Sequence, residues 1–125
     1  MERAEIEAWV AAYERGWRTP GTRPLGDLFT DDITYLPSPW ATPVVGLADL
    51  AIWWDAERDG PEEVFATTSE VVAVDEDVAV VRVSVDYEEP SAGRWRDLWV
   101  LHFAGNGRCK NFEEWPFSPE QPDGH

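Results

Sequence analysis

From Arg3 to Arg18, apolar side chains return every three or four residues. Ile6, Trp9, Val10, Tyr13 and Trp17 share one stripe, while Glu5, Glu7, Glu14 and Arg15 take the other side. That spacing predicts an amphipathic helix. The stretch RTPGTRP (18–24) breaks it. A short second helix is expected over roughly 24–30, carrying Leu25, Leu28 and Phe29. Ile33–Leu36 reads as a brief strand, and the proline-rich residues after it as an irregular loop. Gly46–Asp59 is helical in pattern again, with Leu47, Leu50, Ile52, Trp53 and Trp54, until Gly60–Pro61 stops it.

Beyond that point the period falls to two. Glu63–Val74 alternates weakly, and Asp75–Glu76–Asp77 turns the chain. Val78–Tyr87 sets Val81, Val83, Val85 and Tyr87 on one side, with Val80, Arg82, Ser84 and Asp86 on the other. EEPSAG (88–93) is a loop, Trp95–Phe103 a strand, AGNG (104–107) a turn and Arg108–Trp115 the last strand. The tail SPEQPDGH is expected to be loose. Helices first and an antiparallel meander after them imply an α+β layer fold with the helices on one sheet face.

The last hairpin carries an anomaly. Centring its turn on Gly105–Asn106 pairs Phe103 with Arg108, Trp99 with Phe112, and Asp97 with Glu114. Both acids then share the face of Trp99, Leu101, Phe103 and Phe112, about 4.5–5.5 Å apart at Cβ. Two carboxylates walled by rings resist ionising together, so one proton is shared and one titration step rises. Such a pair supplies a general acid near neutral pH. The same alignment turns Arg108 and Lys110 inward, and a bulge in either arm would slide it. Two alternatives stand: Asp97 as the ion-pair partner of a nearby arginine, and Glu113 rather than Glu114 as the inward acid.

Composition narrows the function. The 125 residues fit one domain, and 43% hydrophobic residues allow a real core despite a net charge of −15. Ten scattered Lys and Arg, with only Arg94–Arg96 forming a group, argue against nucleic acid and anionic membranes. No apolar run approaches a membrane span, and the N-terminus carries acids where a signal peptide is apolar. Cys109 stands alone, which excludes an internal disulfide; a cytoplasmic protein is expected. The histidines are His102 and His125, so neither a metal site nor a cofactor is expected, and GNG is a turn rather than a phosphate loop. Eight Trp, five Phe and three Tyr are enough rings to line a cavity as well as fill a core.

LFTDDITY (28–35), Gly46 at the head of the third helix, and HFAGNGR (102–108) give the layout a recognisable cast. Across residues 3–117 it resembles the SnoaL-like and ketosteroid-isomerase-like branch of the nuclear-transport-factor-2-like superfamily. The resemblance implies a cone: a strongly curved antiparallel sheet wrapped around three N-terminal helices, with a deep central pocket. It also implies a homodimer through the outer sheet face, where Leu98, Val100 and His102 fall. Counting from LFTDD, the oxyanion-holding tyrosine of ketosteroid isomerase matches Tyr13, but its base position is Pro37 and its second acid falls on Trp99. A standard ketosteroid isomerase is therefore not expected. Asp97 and Glu114 resemble the two acids of limonene-epoxide-hydrolase-like relatives, with Arg94 or Arg96 near the arginine.

The expectation is a small-molecule-binding protein with cofactor-free acid/base catalysis on an apolar, oxygenated ligand, of isomerase, cyclase or epoxide-hydrolase type. Asp97, Glu114 and Tyr13 would be the catalytic groups. Trp17, Tyr35, Trp53, Val83, Val85, Trp99 and Phe112 would hold the substrate, with Trp40 at the mouth. Trp53 and Trp54 are consecutive, so at most one faces inward. The alternative is a non-catalytic ligand-binding or dimerisation module.

Overall fold

Helix α1 (Arg3–Arg18) buries the stripe its period predicts, with Ile6, Trp9 and Val10 in the core. In this computed structural model, which describes residues 1–57, 65–88 and 93–120, Trp9 is the hub of that packing. Its ring meets Phe29 and Phe103 edge-on, at 5.7 and 5.4 Å between centroids. Its Nε1 donates to the Leu28 carbonyl at 3.0 Å, so the one polar atom of a buried indole is not stranded.

Helix α2 (Leu25–Leu28) is a single turn, and strand β1 (Phe29–Leu36) starts directly after it. The strand therefore begins four residues before the expected Ile33. Phe29 is drawn out of the helix because it pairs with Cys109 of β6 (Cys109–Phe117). Strand β2 (Val44–Val45), in a segment expected to be irregular, pairs antiparallel with Thr34 and Tyr35. Gly46 follows at φ +90°, a conformation that side chains with a Cβ disfavour, and its N–H donates to the Ile33 carbonyl at 2.8 Å. That bond seats the start of helix α3 (Leu47–Glu57) against β1. The expected stop at Gly60–Pro61 lies outside the described residues, as do the start of the third long strand, most of the 88–93 loop and the end of the tail.

Strands β3 (Phe65–Asp75), β4 (Val78–Tyr87) and β5 (Arg94–Phe103) complete a six-stranded sheet ordered β2-β1-β6-β5-β4-β3. The sheet is curved and open, and with the three helices it makes an α+β cone. One pairing departs from the all-antiparallel expectation: β1 runs parallel to β6. Parallel neighbours need a long crossover, here everything between residues 37 and 108, and no local alternation encodes which distant strand fills that place.

The last hairpin keeps the expected faces but not the expected partners. Asp97 lies opposite Pro116, Trp99 opposite Glu114 and Leu101 opposite Phe112, a slide of two residues. A slide by two preserves parity, so both acids stay on the inner face. The register then shifts between His102 and Phe103, which leaves Lys110 as the extra residue of a bulge. Arg108 and Lys110 are exposed, and the bulge is what corrects their inward placement while turning Cys109 into the core. Among the described residues, no helix is long and apolar enough to cross a membrane.

Candidate functional site

The concave side of β4, β5 and β6 meets α1, β1 and α3 around a cavity of about 400 Å³. This is within the usual range for small-molecule sites. Tyr13 and Trp17 enter it from α1 and Tyr35 from β1; Trp53 enters from α3, and Val83 and Val85 from β4. Asp97 and Trp99 of β5 and Glu114 of β6 border it as well.

Three expectations change. Phe112 is fully buried and backs the wall rather than forming it: Tyr35 stacks on it at 4.4 Å and 2°, and Tyr13 at 5.5 Å and 4°. Trp40 is 99% exposed and lies outside the wall, because the proline-rich segment carries it into solvent while Pro37 takes the rim. Arg94 and Arg96 both bind Asp86 at 3.1 Å on the outer face, so neither arginine reaches the cavity. The open choices are also settled: Trp54 packs in the core while Trp53 borders the cavity. Glu114 borders it as well, and Glu113 accepts from Trp115 Nε1 at 2.7 Å on the other face.

Asp97 is 5% exposed, and its Oδ1 has no hydrogen-bond partner. Trp99 Nε1 is likewise buried without one. The indole and the two carboxyls are near enough to influence each other, yet these two atoms are not aligned into a proper hydrogen bond. Removal from water pushes the Asp97 carboxyl above the usual carboxylate range, a push the neighbouring Glu114 and Trp99 groups partly offset. Glu114 is pushed up further, by burial first and then by the hydrogen bond and charge of Asp97. Protein surrounds Glu114 closely, but it retains accessible surface because it faces the hollow. Both carboxyls are thus harder to ionise than a free one, Asp97 less so than Glu114.

Tyr13 and Tyr35 join their hydroxyls at 2.8 Å. Burial raises both phenols well above 10, with the charge of Glu114 adding to Tyr13 and that of Tyr13 adding to Tyr35. They remain protonated donors beside the acid pair. Cys109 is no nucleophile: burial pushes its thiol up to about 12, and its Sγ donates to the Asn111 carbonyl. Among the described residues, no group of three or more His, Cys, Asp or Glu side chains gathers as a metal site.

Several wall residues were missed. Tyr87 and Trp95 continue the inward parity of Val85 and Asp97 by one step each, so extending the alternation would have found them. Thr67 and Ser69 face inward from β3, where small polar residues give no signal to read. Glu14 and Glu57 stand on the helix faces that polarity assigned to solvent, and border the cavity nonetheless.

The model of the SnoaL-like domain matches residues 6–109. No curated protein matches the chain. Among solved structures it is similar to an NTF-2-like protein of unknown function from Burkholderia xenovorans LB400. That likeness has a TM-score of 0.73 and 13% identity over 95% of this chain and 88% of that one. It is also similar to a protein named as a candidate SnoaL-like polyketide cyclase from Jannaschia sp. CCS1, with a TM-score of 0.72 and 17% identity over 90% and 84%. A ketosteroid isomerase-like protein from Erwinia carotovora atroseptica gives 0.63 and 22% over 93% and 96%. At these identities the likeness is one of fold.

Proposed function

The chain belongs to the SnoaL-like domain family, and from that premise we propose that it binds a small oxygenated molecule and moves a proton on it without a cofactor. One observation carries this reading: Asp97 and Glu114 converge on an aromatic-walled cavity of about 400 Å³ that no Lys, Arg or His among the described residues borders. Pro37 cannot act as a base, so the base is drawn from the pair. The ionised carboxylate takes a proton from a carbon next to a carbonyl. The Tyr13 hydroxyl or the protonated carboxyl donates a hydrogen bond to the enolate oxygen that forms. The proton then returns to carbon, which isomerises the substrate or readies it for cyclisation. Epoxide opening fits less well, since Arg94 and Arg96 face outward on Asp86.

The exchange of α-hydrogens in D₂O tests this without a known substrate, using a panel of cyclic ketones and enones sized to the cavity. Wild type should exchange at least one of them faster than buffer, and Asp97→Asn or Glu114→Gln should slow that by about 100-fold or more. No exchange above buffer across the panel would overturn the acid/base reading. The outer face, with Leu98, Val100 and His102, is assigned in the same proposal to a second copy of the chain. Its support is that Leu98 is 43% exposed beside Trp115 at 42%, its cross-strand neighbour.

A further inference from the structure

Charge is distributed unevenly in the cavity. Glu14, Glu57, Asp97 and Glu114 border it, and among the described residues no Lys, Arg or His does. Arg18 is held by Glu14 at 3.1 Å and lies 3.8 Å over the ring of Phe65, both of which border the cavity. Arg96 favours the ionised form of Asp97 only from the outer face, where Asp86 already engages it. Asp97 Oδ1 meanwhile has no aligned hydrogen-bond partner among the described residues, although its residue is only 5% exposed. Leaving such an acceptor unmet is costly unless a ligand meets it.

The rest of the wall suits one kind of ligand. Trp17, Trp53, Trp95 and Trp99 bring four of the chain's eight indoles to this one surface, with Tyr13 and Tyr87 beside them. Indole faces are the strongest aromatic partners of an organic cation, and carboxylates complete the complement. An anionic ligand would meet four acids, of which only Glu14 is paired with a cation among the described residues. A neutral hydrocarbon would leave the buried oxygen unmet.

We propose that the ligand of this cavity is a protonated amine carried on an apolar or aromatic skeleton, its N–H donating to Asp97 Oδ1 and its charge resting against the indoles. This rests on the reading of the cavity as a small-molecule site and narrows it to a substrate class.

The test compares three probes of one shape by calorimetry and tryptophan fluorescence at neutral pH: N,N-dimethylbenzylamine, its neutral isostere isobutylbenzene, and phenylacetate. The amine should bind at least about tenfold tighter than the isostere, the gain of one charge-assisted hydrogen bond, and phenylacetate weakest of all. Asp97→Asn should erase the preference for the amine while leaving isobutylbenzene affinity within about twofold, a pattern that misfolding would not produce. Ser69→Leu, which fills the far wall, should weaken the amine and the isostere alike and so report on placement in the cavity. Isobutylbenzene or phenylacetate binding as tightly as the amine overturns the cation inference and leaves the small-molecule site intact. Binding of none of the three removes both.

Discussion

The two faces of the β5–β6 hairpin divide polar and apolar groups in opposite ways to an ordinary half-buried sheet. On the inner face Asp97 and Glu114 sit among Trp99, Leu101 and Phe112, and among the described residues no Lys, Arg or His borders the cavity with them. On the outer face Arg94 and Arg96 both bind Asp86 of neighbouring β4, while Leu98, Trp115 and Phe117 stay 43%, 42% and 45% exposed. Polar groups are costly where they lie inside, and apolar groups gain nothing where they lie outside. The inner face is a concave, half-open hollow suited to a small molecule, and the outer one carries the exposed apolar row proposed above to meet a second copy.

The largest effect should come from the apolar part of the inner face. Leu101 is fully buried, so Leu101→Ala should lose about 2–5 kcal/mol, read from urea midpoints at constant slope. The matched change outside, Leu98→Ala in monomeric protein at high dilution, should stay within about 0.5–1 kcal/mol. Equal losses on the two faces would show that the outer leucine is core and end the contrast.

Next is the association proposed for the outer face. Leu98→Asp places a charge at the centre of the exposed apolar row and should weaken self-association by at least about tenfold, seen as a shift to monomer in sedimentation velocity. The unfolding midpoint of the dilute protein should hardly move. A wild type that sediments as monomer at every concentration would remove the second copy from the account.

The inner face was legible in part because parity survives errors of register. Asp97 and Glu114 were paired with each other by counting from the turn, whereas Asp97 actually faces Pro116 and Glu114 faces Trp99. Both acids still point inward because the slide is an even number of residues. The bulge at Lys110 was hidden in a spacing that could have been noticed: Cys109 and Phe112 are both apolar and three apart, which no regular strand places on one face. The parallel β1–β6 pairing had no local trace, since it depends on chain distant in sequence. Trp40 misled for a different reason. An aromatic residue in a proline loop fits a lid by composition, and only the path of the backbone reveals that it faces away.

A smaller effect belongs to the inner acids themselves. Burial and Asp97 raise Glu114, so protonation favours the folded state. The contribution is present below the ordinary carboxylate range and is lost as pH rises through the raised value. Glu114→Gln removes the ionisation and should therefore stabilise the protein at pH 7–8 by about 1 kcal/mol, roughly 3–6 °C in a domain of this size. The gain should shrink towards zero near pH 4, where the wild-type acid is protonated anyway. A variant less stable than wild type at neutral pH would mean that the ionised carboxylate is held by a partner, and the shared proton would be wrong.

The smallest effect is expected from Asp86, and its sign sharpens the comparison most. Arg94 and Arg96 hold this exposed carboxyl below the usual range through their hydrogen bonds. The ion pairs therefore support the fold above that range and fade as pH falls through the lowered value. Exposed pairs are screened by salt and weakly coupled to folding, so Asp86→Asn should lower the thermal midpoint barely beyond error in dilute buffer and not at all in 1 M NaCl. At acid pH it should converge on wild type from below, whereas Glu114→Gln converges from above. The two carboxyls lie on opposite faces of one sheet, and opposite signs of convergence are the thermodynamic mark of that difference. Convergence from the same side would mean that burial does not separate the two faces in solution.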